Sequence, residues 1–240
     1  MGCNYAIVLA GGKGTRMGGK IPKQYIEIDG KPMLYYSLAA FEECEFIDET
    51  VLVTIAEDIE YCRKEIVEKY GLSKVTHIVS GGNERYASVC CGLKTVEDRT
   101  GYVFIHDGAR PCINNTLLDM LYSDVKEYKA AVAAVRSKDT VKISDADGFA
   151  VNTPSRDNVW IIQTPQVFVT DEIYEAYNKM METDSGTKNI TDDAMVMEKF
   201  GMRKIRLTES YYGNIKVTTE EDLYTVENII KKIKKMKNNY

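Results

Sequence analysis

Residues able to bind a polyphosphate lie in a glycine-dense segment near the N-terminus. The segment follows a short apolar run at residues 5–9, and its glycines are Gly11, Gly12, Gly14, Gly18 and Gly19. Glycines let backbone N–H groups turn toward one point, because no side chain blocks the approach. Arg16 and Lys23 add two cations, which bind phosphate groups beside such a nest. The segment therefore indicates a polyphosphate pocket, with a glycine-rich surface turn as the alternative.

The spacing of these glycines disfavours two common classes of nucleotide-binding protein. The sequence lacks the GxxxxGK[ST] pattern of P-loop ATPases and GTPases. Gly12 and Gly14 match the start of a GxGxxG dinucleotide-binding turn, but Met17 occupies the third glycine position. A nicotinamide-dependent oxidoreductase also needs an acid for the ribose, and none is evident.

A second polar group, HDGARP at residues 106–111, follows another apolar run. Packing does not explain an acid at the end of a buried strand followed by glycine and an arginine before proline. Asp107 can hold Mg²⁺ directly or through water, because hard cations near phosphates take oxygen ligands. Arg110 can act as an anion-binding fork. His106 is either a base or a packed, hydrogen-bonded residue.

Two further segments allow a chemical or a structural interpretation. In SGGNERYAS, residues 80–88, a helix N-terminus with Ser88 one turn in can hold a base or a phosphate. The alternative is a capped turn between a strand and a helix. Lys216 lies inside a predicted strand at Asn214–Val217, where it most simply points to solvent. Thr218 or Thr219 is expected to cap the helix that follows.

The elements that must position these residues alternate along the chain. Apolar runs predict strands at Tyr5–Leu9, Thr50–Ile55, Val75–Val79, Tyr102–His106 and Ala130–Val135. Helices are predicted at Met33–Glu43, Asp58–Tyr70, Glu84–Val96 and Asn115–Glu127, and downstream at Asp171–Met181 and Thr191–Phe200, with a strand at Lys204–Leu207. This alternation favours an α/β fold with a mostly parallel sheet. Ligands of such sheets bind beyond the carboxyl ends of the strands, where the unusual residues fall.

Residues 137–160 interrupt the alternation. They read as two short strands around the turn DADG, with no obvious sheet to join. Such a hairpin is expected to protrude, and protruding hairpins commonly clasp a partner subunit. The alternative is a surface hairpin on which Thr140, Lys142 and Arg156 are solvated.

Composition places the chain among ordinary globular proteins. It has 240 residues, of which 44% are hydrophobic and 28% charged, enough for one large core. A net charge of −5 argues against nucleic-acid binding. No apolar run approaches the roughly 18 residues of a membrane span, so we expect a cytoplasmic protein. The 6 cysteines form no CxxC pair and only 2 histidines are present, which disfavours a zinc site.

Six motifs in this order resemble the 2-C-methyl-D-erythritol 4-phosphate cytidylyltransferase family, from residue 4 to residue 230. They are LAGGKGTRMG…PKQY, GGNERYAS, HDGARP, QTPQVF, TDDA and GNIKVT. The resemblance implies a single domain, residues 1–240, with a Rossmann-like nucleotidyltransferase fold, a twisted sheet flanked by helices. It also implies a homodimer that exchanges hairpin arms, residues 137–158. The implied reaction joins CTP and methylerythritol phosphate with release of pyrophosphate, and uses Mg²⁺.

The resemblance also assigns roles by matching position. The triphosphate would bind to Ala10, Gly11, Gly12, Arg16 and Lys23, and the cytosine and ribose to Gly82, Asn83 and Ser88. Asp107 and Arg110 would lie where nucleotide, metal and substrate phosphate meet. Thr164, Thr191 and Lys216 would line the substrate side, and Thr140 and Arg156 would reach methylerythritol phosphate from the other subunit. The expected catalytic group is Arg16, Lys23, Asp107 and Lys216, because nucleotidyl transfer depends on positioning and charge neutralisation.

Some positions depart from the family pattern. The first strand ends in LAGG, which is frequent in the related ribitol-5-phosphate cytidylyltransferases, and Asn83 replaces an acid. HDGARP, WIIQTPQ and TDDA favour the methylerythritol branch. A ribitol phosphate enzyme is the alternative, and a non-catalytic nucleotide-binding protein is a remote one.

Overall fold

Eleven strands and seven helices are formed within the part of the chain that the computed structural model describes, residues 2–12, 22–183 and 185–237. The strands are β1 (Tyr5–Leu9), β2 (Glu27–Ile28), β3 (Lys31–Pro32), β4 (Glu49–Thr54), β5 (Val75–Ser80), β6 (Tyr102–Asp107), β7 (Ala130–Arg136), β8 (Ile143–Ser144), β9 (Ala150–Asn152), β10 (Trp160–Val169) and β11 (Arg206–Glu209). The helices are α1 (Met33–Glu42), α2 (Ile59–Tyr61), α3 (Arg85–Leu93), α4 (Asn115–Tyr128), α5 (Thr170–Glu182), α6 (Asp193–Val196) and α7 (Glu220–Lys237). Wider π-helical turns continue α2 and α6, at Cys62–Glu68 and Met197–Gly201.

A seven-stranded, mostly parallel sheet forms the centre, in the order β11-β7-β10-β6-β1-β4-β5. The predicted α/β fold is confirmed, and β1, β4, β5, β6 and β7 each begin and end within one residue of the prediction. β1 pairs in parallel with both β4 and β6, with Leu9 opposite Asp107. The ends of β1 and β6 therefore lie side by side at one edge of the sheet.

Alternate residues of β1 face two separate layers of helices, which is why its whole run is apolar. Ala6 and Val8 pack in the core that α1 and α4 cover. Tyr5 and Ile7 pack in the core that α3 and α5 cover. A Cβ at Gly92 of α3 would lie 2.7 Å from a methyl of Ile7, so glycine lets this helix approach the sheet closely.

The sequence prediction was wrong for one strand and missed three others, the two-residue strands β2 and β3 and the long strand β10. Residues 214–217 form no strand, because their backbone groups bond to loops and side chains: the Val217 N–H donates to the carbonyl of Ala109 at 2.8 Å. The longest missed strand is β10, which runs antiparallel between β6 and β7. Its apolar run is interrupted by Gln163, Thr164 and Gln166, three polar residues that are buried.

The predicted hairpin is present, with β8 and β9 paired antiparallel in a two-stranded sheet separate from the central one. Asp145 Oδ1 accepts hydrogen bonds from the N–H groups of Asp147 and Phe149, and Gly148 has a φ of +88°, which closes the turn. Phe149 and Val151 are 72% and 63% exposed, so the hairpin presents apolar side chains that its own chain does not cover.

No helix in the described ranges is both long and apolar enough to span a bilayer.

Candidate functional site

An open cleft lies beyond the carboxyl ends of β1 and β6, where the sequence predicts the chemistry. Its lining includes nine predicted site residues: Ala10, Gly11, Gly12, Lys23, Gly82, Asn83, Ser88, Asp107 and Lys216. Arg16 lies outside the described residues. The fold thus brings together segments that are up to about two hundred residues apart in the chain.

Backbone groups on two sides of the cleft are suited to binding anions or a nucleoside. No described residue accepts a hydrogen bond from the N–H groups of Gly11 or Gly12. Across the cleft, Ser88 Oγ donates to the carbonyls of Gly82 and Glu84, at 3.3 and 3.2 Å, and so fixes the turn before α3. A Cβ at Gly82 would lie 2.5 Å from the Cβ of Ala87, so this tight turn requires glycine.

Asp107 stands at the end of β6 among three cations. Its Oδ2 is 2.7 Å from Lys216 Nζ and 4.0 Å from Arg110 Nε, and its Oδ1 is 3.3 Å from Arg85 Nε. Burial by itself raises the pKa of the Asp107 carboxyl, but Arg85, Lys216 and Arg110 together outweigh it and hold the pKa well below its usual range. Asp107 is therefore a carboxylate at any physiological pH.

Arg85, which contacts Asp107, is a cleft residue that the sequence analysis did not assign to the site. It is the first residue of α3 and lies in the motif GGNERYAS. Burial lowers the pKa of its guanidinium, but the charges of Asp193 and Asp107 raise that pKa by a larger amount. The net shift is upward, so Arg85 stays charged. An arginine at a helix N-terminus, where cations are unfavourable, was the available signal that a buried partner exists.

His106 is a structural residue here, which answers the choice left open by the sequence. Burial lowers the pKa of its imidazole to about 3, so the ring is neutral. Its Nε2–H donates to the Arg110 carbonyl at 3.2 Å, which leaves Nδ1 to accept from the Thr164 hydroxyl at 3.1 Å. Thr164 Oγ1 also accepts from the N–H of Asp107 at 3.0 Å. This relay fixes the backbone on both sides of the cleft carboxylate.

The segment before α7 is fixed by buried contacts, which places Lys216 at the cleft. Asn214 is fully buried, and its side-chain amide donates to Gln163 Oε1 and to the Thr164 carbonyl, at 3.0 and 2.9 Å. The carbonyl of Asn214 accepts from Arg110 Nη1 at 2.8 Å. Lys23 Nζ donates to the Val217 carbonyl at 3.0 Å. Lys216, which the sequence most simply places toward solvent, is therefore directed to Asp107.

The remaining predicted residues lie elsewhere. Thr164 is buried behind Asp107. Arg110 lies beside Asp107. Thr191 and Arg85 both line a neighbouring depression. Thr140 and Arg156 are exposed on the hairpin and its base, outside the cleft of their own chain.

A divalent cation could find one strong ligand in this cleft. Residues 2–12, 22–183 and 185–237 contain no cluster of three or more His, Cys, Asp or Glu side chains able to hold a metal. Mg²⁺ commonly binds through one or two carboxylates, with water and substrate phosphates completing its shell. The ionised Asp107 fits that pattern.

Comparisons with known proteins agree on one family. The model of the family described as 2-C-methyl-D-erythritol 4-phosphate cytidylyltransferase matches residues 5–232. A protein of that name from Lachnospira eligens is 52% identical over 220 residues, which is 92% of this chain and 96% of the relative.

Solved structures give the same picture. The 4-diphosphocytidyl-2C-methyl-D-erythritol synthase of Anaerococcus prevotii superposes with a TM-score of 0.83 at 33% identity, over 96% of this chain and 99% of that one. The 2-C-methyl-D-erythritol 4-phosphate cytidylyltransferase of Francisella tularensis superposes with a TM-score of 0.79 at 29% identity, over 95% and 99%.

Proposed function

The chain belongs to the 2-C-methyl-D-erythritol 4-phosphate cytidylyltransferase family, and we propose how its cleft performs that reaction. The enzyme is a nucleotidyltransferase that converts CTP and methylerythritol phosphate to diphosphocytidyl-methylerythritol and pyrophosphate, in isoprenoid biosynthesis. The relatives favour this acceptor over ribitol phosphate. The observation that carries the proposal is the group of cations around Asp107, next to a glycine-lined wall.

The step is a direct displacement. An oxygen of the substrate phosphate forms a bond to the α-phosphorus of CTP, and the bond from that phosphorus to the bridging oxygen breaks, so pyrophosphate leaves with the electron pair. The attacking phosphate is already ionised, so no protein nucleophile or base is needed. The barrier comes from bringing two anions together, which makes charge neutralisation the main catalytic contribution.

The chain's residues divide this work by position. Lys23, with Arg16, would hold the triphosphate against the N–H groups of Gly11 and Gly12. The turn at Gly82 and Asn83, with Ser88, would hold the cytosine and ribose. Lys216 would stabilise charge at the reacting phosphates, with Arg110 beside it. Thr191 would line the acceptor side, and Thr164 would act through the backbone of Asp107 rather than by touching the substrate.

Asp107 would hold Mg²⁺, directly or through water. When bound, Mg²⁺ would neutralise charge on the phosphates that complete its coordination. Asp107 carries no proton that a cation must displace, and Mg²⁺ would share its oxygens with Lys216 and Arg85, the cations that keep its pKa low.

A homodimer would complete each site. The hairpin arm, residues 137–158, exposes apolar side chains, and neither Thr140 nor Arg156 is among the residues that line the cleft of their own chain. Exchange of arms would cover the apolar surface and bring both residues to the partner's acceptor site. All 6 cysteines are unpaired thiols, which supports a cytoplasmic location.

A pyrophosphate-release assay tests the function. We expect release from CTP that depends on methylerythritol phosphate, with a much lower kcat/KM for ribitol 5-phosphate in a parallel reaction. Preference for ribitol phosphate would replace the acceptor and leave the reaction type intact. CTP binding without pyrophosphate release from either acceptor would contradict the proposal.

A further inference from the structure

A buried carboxylate behind the cleft has no part in the reaction described above. Asp193 of α6 has no exposed surface, and the Arg85 guanidinium donates to its Oδ1 and Oδ2 at 2.8 and 2.7 Å. The Tyr177 hydroxyl donates to Asp193 Oδ1 at 2.6 Å. Arg85 also places its Nε 3.3 Å from Oδ1 of Asp107. One arginine thus connects α6 with the carboxylate at the centre of the cleft.

The shape of the guanidinium makes this connection directional. Its donors lie in one plane at fixed angles, so Asp193 sets the direction of Nε–H once it holds both Nη atoms. Arg85 can then offer Asp107 a single hydrogen bond. Oδ2 of Asp107 is left to Lys216, at 2.7 Å. Without the charge of Asp193, Arg85 could turn a two-nitrogen fork onto Asp107 and compete with Lys216.

Fold stability is a weak explanation for such an arrangement. Removing an aspartate from water is unfavourable, and its ion pair with arginine often does little more than offset that cost. We propose that Asp193 is a positioning residue for cytidylyl transfer, which acts through Arg85 on the orientation of Asp107. This inference rests on the proposed function, and it makes α6, outside the cleft lining, a determinant of turnover.

The test is a double-mutant cycle on kcat. Asp193→Asn preserves the shape of the side chain and removes its charge, while Arg85→Lys preserves the cation and removes the fork. We expect each single variant to lower kcat by about 10- to 100-fold, because small displacements of reacting groups cost that much. If Asp193 acts through Arg85, Asp193→Asn should cause less than about a threefold further loss in the Arg85→Lys background.

Measurements of stability separate positioning from general damage. Thr208→Val removes a hydrogen bond of a buried residue, the partly buried 2.6 Å contact with Asp124 at the far end of the sheet, and should lower the melting temperature without changing kcat. A folded Asp193→Asn enzyme with wild-type kcat would overturn the inference. So would losses that multiply in the double variant.

A milder variant keeps the inference testable if Asp193→Asn does not fold. Tyr177→Phe retains both charges and removes one hydrogen bond from Asp193. We expect a loss of kcat of about threefold in the wild-type background and none in the Arg85→Lys background. Equal losses in both backgrounds would contradict the inference, whereas a wild-type enzyme without pyrophosphate release would contradict the proposed function instead.

Discussion

The predicted site residues of the cleft and those of the hairpin arm differ in burial and in their contacts with their own chain. Around the cleft, the predicted site residue Asp107 and its neighbour Asn214, which supports the segment of Lys216, are buried. Each is held by several hydrogen bonds or ion pairs from its own chain. On the arm, Thr140 and Arg156 are exposed, and the guanidinium of Arg156 has one marginal hydrogen bond to the described residues, a 3.5 Å contact with the carbonyl of Lys138. The cleft side chains are therefore held by their own chain, whereas the arm side chains have few contacts there, as the proposed exchange of arms would require.

Removing a cleft cation should have the largest effect. Lys216→Ala and Lys23→Ala should each lower kcat by about 100-fold or more, because each removes a stabiliser of transition-state charge. Steady-state pyrophosphate release checks this, with Lys204→Ala, an exposed lysine outside the cleft, as the matched control. A variant that retains normal turnover would remove its lysine from the mechanism.

Removal of a buried side chain that supports the cleft should lower the free energy of unfolding. Asn214→Ala should lower the free energy of unfolding by about 2 kcal/mol, because it leaves buried acceptors on Gln163 and Thr164 without their donor. Asn152→Ala, on the exposed arm strand, should change it by less than about 0.5 kcal/mol. Urea unfolding of both variants checks the difference, and equal losses would show that the two regions are not supported differently.

A mutation in the arm should raise the KM for the acceptor and leave the KM for CTP unchanged. Arg156→Ala should raise the KM for methylerythritol phosphate by about tenfold, the loss expected for one charge-assisted hydrogen bond to its phosphate, with the KM for CTP unchanged. Initial rates with each substrate varied in turn provide the measurement. A change confined to the KM for CTP would place Arg156 on the wrong side of the site.

Mixing variants tests whether the arm serves the partner's site. When Lys216→Ala and Arg156→Ala chains exchange subunits, about half of the dimers are mixed, and each mixed dimer has one complete site. At low methylerythritol phosphate, activity should therefore reach about a quarter of the wild-type value. If each site used one chain alone, activity would stay at the mean of the two variants.

The same contrast explains what could be predicted from the sequence. Short runs of branched apolar residues predict β1, β4 and β6. Runs of that length fit a strand buried on both faces, whereas a buried helix is longer. β10 was missed because its glutamines look solvent-exposed until the fold supplies their partners, such as Asp192 for the amide of Gln166. The position of Arg85 at the start of α3 indicates that it has a buried partner, but Asp193 lies 108 positions away, so the local sequence does not identify that partner.

Titration of the buried imidazole should give the smallest effect and distinguish the two histidines of the chain. Burial lowers the pKa of His106 from 6.5 to about 3, so below pH 6.5 the unfolded chain binds a proton that the folded chain does not. Stability from this group is complete above pH 6.5 and decreases as the pH falls toward 3, by about 1 kcal/mol between pH 7.5 and 5.5. Urea unfolding at these two pH values should show that loss in the wild type and in His77→Gln, which changes only an exposed histidine, but not in His106→Gln. An undiminished loss in His106→Gln would mean that other groups titrate in this range, and that the relay from Asp107 through Thr164 does not depend on a neutral imidazole.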